Sequence, residues 1–190
     1  MPAQTVTDDY IALYEGFFGR HYYSFEFDDC HFSIINAQIL NSGLDCEGRQ
    51  RDWLEADLDQ STDKRVFVCT HYPPYVASPD EPSSYDNIDE PDRSWLLDLL
   101  EKHKVEALFA GHVHNFFYDR YAGTDCYVLP STAFVRHEYA ELSRVSPGPE
   151  NGRNDAPKLG YFVVRVYSDG HVAEMVRTYG ETCAPAIPSH

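Results

Sequence analysis

RVFVCTHYPPY (residues 65–75) and ALFAGHVH (residues 107–114) are the two stretches on which the fold turns. Each opens as a short apolar run of the length a buried strand needs and ends in histidine. Between them PDRSWLLDLLEKH (91–103) spaces Trp95, Leu96, Leu99 and Leu100 along one helical stripe. A proline stands near its start and basic residues in its last turn. Strand, helix, strand in that order predicts parallel pairing, with both histidine segments at the carboxyl edge of one sheet.

The flanks extend the pattern. Residues 6–18 can form a helix. YYSFEFD (22–28) and CHFSIINAQ (30–38) alternate polar and apolar residues about an Asp28-Asp29 turn, as a hairpin does. A helix is expected over 48–59, with Trp53, Leu54 and Leu58 on one face and Gln50 and Asp57 beside it. FFYDRYA and CYVLPS supply further strands, and LGYFVVRVYSDGHVAEMVRTYG reads as a hairpin turning at Ser168-Asp169-Gly170. Residues 77–90 form a long loop between elements, a length that usually carries function. The expected class is therefore α/β (α+β), in one domain over residues 1–181 with a loose tail at 182–190.

A net charge of -16, from 31 acidic against 15 basic residues, repels a phosphate backbone and argues against a nucleic-acid partner. No apolar run reaches the roughly 18 to 20 residues of a membrane helix. The five cysteines are scattered, with no C-x-x-C pair, so neither a zinc ribbon nor a disulfide framework is expected. That cysteine usage favours a reducing compartment and a cytoplasmic location. Cys69, inside VFVCT, reads as a buried small hydrophobe.

Three histidines carry the chemistry. Pro73 and Pro74 stiffen the chain after His71 and hold it at a strand end. His112 and His114, two apart in a segment read as extended, would project to the same side, and Gly111 would let the backbone turn tightly. Imidazole suits Mn, Fe, Zn, Co or Ni, so the ligands alone do not identify the metal.

The His71 segment and the Gly111–His114 segment resemble the last two signature motifs of calcineurin-like metallophosphoesterases. HYYSFEF–CHFSIINAQ is similar to the hairpin that follows the family's Asn-His motif, and GRQRDWLEADL to its next helix. The resemblance implies a four-layer β-sandwich flanked by helices, of which this chain would hold one sheet and part of the other. It also implies hydrolysis of a small phosphorylated substrate by two divalent metal ions (Mn, Fe or Zn). His71 and His112 would ligate one ion and His114 the other. Arg136, Tyr139 and Arg153, near the expected metal edge, would either hold phosphate oxygens or serve as ordinary surface and packing residues.

The family's Asp-x-His, Gly-Asp-x-x-Asp and Gly-Asn-His motifs are absent from these residues. The expectation is a C-terminal half whose exposed strand edges favour self-association, and which is incompetent as an enzyme alone. Two other readings stay open: an interaction module that has lost catalysis, and a mononuclear three-histidine zinc hydrolase.

Overall fold

Alternation along each strand decides what the central sheet packs against. In β3 (Arg65–Cys69), Val66 and Val68 face one way and Phe67 the other, and all three are buried. Leu108 and Ala110 of β4 (Ala107–Ala110) share the valines' side. That side is covered by two helices, α2 (Asp45–Asp59) and α3 (Asp92–Lys102), which bring Leu54, Leu58, Leu96 and Leu100 to at most 1% exposure. Each such burial stabilises the fold by about 2 kcal/mol. The opposite side carries Phe32, Phe67, Phe109 and Tyr127, with Phe32 stacked on Phe67 at 5.1 Å and Phe109 on Tyr127 at 5.2 Å.

The computed structural model describes residues 6–136 and 158–178. Tyr139, Arg153 and the 182–190 tail lie outside them. The chain divides into two compact units, one of residues 1–112 and 117–128, the other of 113–116 and 129–190.

The first unit holds a six-stranded sheet in the order β1-β2-β3-β4-β6-β5. β1 (Tyr23–Phe27) and β2 (Cys30–Ile34) form the expected hairpin, closed by Asp28 at φ 58°. β2, β3, β4 and β6 (Thr124–Val128) run parallel, and β5 (Phe117–Tyr121) is an antiparallel edge. The ladder continues past the strands: Ile35 N–H donates to Cys69 C=O at 2.9 Å, Thr70 to Phe109 at 3.0 Å and Gly111 to His71 at 2.9 Å. These bonds bring the segments after β2, β3 and β4 to one carboxyl edge, as the strand–helix–strand order requires. Thr7 caps α1 (Asp8–Phe18), none of whose residues is buried.

The second unit contains the hairpin of β7 (Gly160–Tyr167) and β8 (Gly170–Arg177), turning between Tyr167 and Gly170 as read from the sequence. Gly160 is needed there, because a Cβ would lie 2.5 Å from the Val176 carbonyl oxygen. Phe162 of this hairpin meets Phe116 at 5.1 Å, and Val135 and Leu159 are buried together.

Candidate functional site

His71 leaves β3 and His112 leaves β4 on neighbouring parallel strands, joined by the Gly111–His71 backbone bond. Their rings meet edge to face at 5.1 Å, with His112 Nδ1 3.3 Å from His71 Nε2. The other nitrogen of His112, Nε2, lies 2.9 Å from the carbonyl oxygen of Tyr85. A carbonyl only accepts, so Nε2 carries the proton and Nδ1 of the neutral ring presents its lone pair towards His71. Asp86 places a carboxylate oxygen 3.7 Å from the same Nε2. Tyr72 and Tyr85 flank the His112 ring, with centroids at 4.1 and 4.7 Å.

The pair fits a divalent ion. Two imidazole nitrogens on one tetrahedral zinc, each about 2.0–2.1 Å from it, stand about 3.4 Å apart. Metal-bound histidine also normally donates its second N–H to a carbonyl or carboxylate, as His112 does. The fit extends to two ligands: among the described residues no three His, Cys, Asp or Glu side chains are gathered as a metal would need.

His114 belongs to the second unit. Its Nδ1 is buried without a hydrogen-bond partner, and its ring packs edge-on against Phe134 at 4.3 Å. Burial, then the charge of Arg136, hold its pKa below the ordinary imidazole value, opposed by the Phe134 backbone. That shift favours the neutral ring, the form that binds metal. Arg136 is the one of the three anion-holding candidates within the described residues.

The backbone at these histidines differs from the sequence reading. His112 and His114 are not extended; they sit in left-handed conformations at φ 65° and 57°. Gly111 does not take the positive φ, and a Cβ on it would meet only ordinary contacts with His71 at 3.6 and 3.8 Å. The turn expected of the glycine is thus made by the two histidines themselves, at about 1–2 kcal/mol each. Such strain persists where surrounding bonds hold it, and it concentrates at functional positions.

A cavity of about 880 Å³ opens at the carboxyl ends of β2 and β3, lined by His71, Tyr72, Tyr85, Asn36, His21 and Cys69 among others. Cys69 is half-buried on this wall, with its thiol pushed up to about 11 by burial, and is not a core residue. Asn36 Nδ2 donates to His21 Nδ1 at 3.1 Å, while fully buried Gln50 clasps the Asn36 backbone through N–H at 2.8 Å and C=O at 3.1 Å. His21 is held below its ordinary pKa by burial, with Glu15 opposing and Arg20 and Arg49 reinforcing. Tyr75 is 5% exposed and donates to Asp119 at 3.0 Å. His31, unremarked in sequence, is fastened to Asp57 at 2.8 Å, with Ser24 and Ser33 on the same carboxylate, and pins the hairpin to α2.

Sequence reasoning missed Tyr85 and Asp86 as partners of His112. It also passed over Arg93, whose position offered a signal: a basic residue in a helix's first turn opposes the dipole there.

The family model for calcineurin-like phosphoesterase matches residues 4–116. Serine/threonine-protein phosphatase CPPED1 of Rattus norvegicus is 29% identical over 103 residues, covering 51% of this chain and 33% of that protein. Purple acid phosphatase 22 of Arabidopsis thaliana is 32% identical over 98 residues, 50% of this chain and 21% of the relative. The chain thus matches a third or less of the length of these relatives. Among solved structures, GAP50, the anchor in the inner membrane complex of Plasmodium, is similar in fold at TM-score 0.58 and 16% identity, covering 82% of this chain and 49% of that one.

Proposed function

The chain belongs to the calcineurin-like phosphoesterase family, and from that premise we propose that it serves metal-dependent phosphoester hydrolysis, with His71 and His112 holding one divalent ion and His114 contributing to a second. The observation that carries this reading is the His71–His112 pair, 3.3 Å between facing nitrogens, with the outer nitrogen of His112 tied to the Tyr85 carbonyl. When bound, divalent ions supply positive charge against phosphoryl oxygens and lower the barrier to in-line displacement. His112 presents Nδ1 because Tyr85 accepts the proton-bearing Nε2. His71 is held at the strand end by its carbonyl bond to Gly111 and by the prolines that follow. The cavity beside His71 admits the ester, and Asn36 and Tyr72 offer it uncharged polar contacts. Arg136, whose charge reaches His114, is the candidate for a phosphate oxygen. The ester's identity is proposed only as a small phosphorylated molecule.

Two nitrogens and a third histidine cannot neutralise two adjacent dications, a role that falls to carboxylates. Hydrolysis is therefore expected to need the family's Asp-x-His, Gly-Asp-x-x-Asp and Gly-Asn-His motifs supplied alongside these residues. The test is calorimetry with Zn²⁺ or Mn²⁺ on the wild type and on the His71→Ala/His112→Ala double variant. Binding that the double variant loses supports the reading, and identical isotherms sink it. A parallel assay of p-nitrophenyl phosphate hydrolysis should show turnover only when a segment carrying the three motifs is joined to the chain. Robust metal-dependent turnover by the 190 residues alone would overturn that expectation.

A further inference from the structure

We propose that Arg93 and Glu81 are positioning residues for the metal site, which hold the 77–90 loop so that Tyr85 fixes the tautomer and aim of His112. The proposal rests on the metal-ligand reading of His112 and specifies how the chain prepares that ligand before any metal arrives.

Arg93 is an unlikely residue for its place on local grounds alone. It lies in the first turn of α3, where the helix dipole disfavours a cation, and it is 1% exposed, where losing its hydration costs several kcal/mol in general. Its nearest carboxylate contact, Glu90, is 3.7 Å away and half-exposed. What the guanidinium does is gather main-chain carbonyls. Nε donates to Ile88 C=O at 2.9 Å, and Nη1 donates to Pro79 C=O at 3.2 Å and to Glu81 C=O. All three carbonyls belong to the loop that delivers Tyr85 to His112.

Glu81 completes the clamp from within. Its carboxylate accepts the N–H groups of Val76 at 2.9 Å, Ala77 at 2.8 Å and Ser78 at 3.2 Å, and the side-chain amide of Asn87. Asn87 in turn accepts Ser84 N–H at 2.9 Å, and Ser84 Oγ accepts Asp86 N–H at 3.1 Å. Ile88 N–H then anchors the loop's exit to Pro73 C=O at 2.9 Å, next to the His71 segment. Tyr85 is thus bracketed by fixed residues although it is itself 54% exposed. Its carbonyl cannot swing away from His112 Nε2 without breaking this set. A flexible loop would leave the imidazole both tautomers; a clamped one leaves Nδ1 facing His71.

The experiment is long-range ¹H–¹⁵N NMR of the histidine rings in the metal-free full chain, near pH 8 where unperturbed imidazoles are neutral. Wild type, Glu81→Gln and Arg93→Lys are compared, with thermal unfolding as a control for global damage. The wild type should show His112 as a single tautomer protonated at Nε2. Glu81→Gln, which removes the charge that collects the N–H groups, should give a mixture and weaken Zn²⁺ binding about tenfold, in the range typical of groups that orient a ligand. His31, tied to Asp57 of α2, should keep its signature in both variants. A mixed or Nδ1-protonated His112 in the wild type would overturn the proposal outright. So would folded variants that keep a single Nε2–H tautomer and wild-type affinity, leaving Arg93 and Glu81 with only a share in stability. If the wild type binds no metal but the tautomer still depends on Glu81, the clamp stands and the metal reading falls.

Discussion

Helix α1 and the 77–90 loop invert the usual association between regular structure and order. The helix is regular and capped, with acids in its first turn, yet buries no residue. Leu13, Phe17 and Phe18 stand 58%, 76% and 75% exposed. The loop has no helix or strand, yet its carbonyls, N–H groups and side chains are bound to one another and to buried Arg93. Backbone regularity satisfies hydrogen bonds locally, but only burial and long-range polar contacts offset the entropy of fixing a segment against the rest of the molecule. By that measure the loop belongs to the body of the first unit, and the helix is attached to its surface.

The largest expected effect comes from withdrawing the loop's anchor. Arg93→Met should lower stability by about 3 kcal/mol, because it strands the Ile88 carbonyl at a buried bond and leaves the part-buried Pro79 and Glu81 carbonyls without their guanidinium donor. Hydrogen exchange should rise across 77–90 and leave α1 unchanged; equal loss in both would dissolve the contrast. Asp92, fully buried beside Arg93, is next. It accepts Arg51 at 2.6 Å and Asn41 N–H at 2.7 Å, so Asp92→Ala should cost about 2–3 kcal/mol in chemical denaturation. Asp92→Asn should cost roughly half as much, since one acceptor and the shape survive.

Acid should separate the regions further. Burial by itself would raise the Glu81 pKa, but the Asn87 amide and the N–H groups of Ala77, Val76 and Ser78 outweigh it and hold the carboxyl below its ordinary 4.5. A lowered carboxyl pKa means that the unfolded state binds the proton first. Its stabilisation is therefore complete above 4.5 and is lost as pH falls through the lower folded value. Protection factors within 77–90, with the intrinsic pH dependence of amide exchange divided out, should fall in that window in the wild type and stay level there in Glu81→Gln. The smallest effect belongs to α1: Phe17→Ser should change stability by no more than about 0.5 kcal/mol while improving solubility. A loss well above 1 kcal/mol would show that the helix is seated after all.

Much of this fold was written in local patterning. The apolar run of residues 65–70, the Trp95/Leu96/Leu99/Leu100 stripe and the alternation in 22–38 fixed element types to within a few residues, because each period admits one way to bury its face. The strand–helix–strand order then placed His71 and His112 at one edge. Local pattern also misled: a two-residue spacing suggested an extended H-x-H, but β4 ends at Ala110 and both histidines adopt left-handed turns.

By itself, then, the sequence determined the parallel core, the family and which histidines leave neighbouring strand ends. Tertiary structure alone decided that His112 meets His71 through Nδ1, that the turn is made by the histidines and not by Gly111, and that Arg93 serves the loop. The division has a physical cause. Hydrophobic periodicity is a property of consecutive residues and survives in a string of letters. The tautomer of an imidazole and the partners of a buried guanidinium depend on carbonyls 27 and 14 residues away, for Tyr85 and Pro79 respectively, which only the folded chain brings within bonding distance.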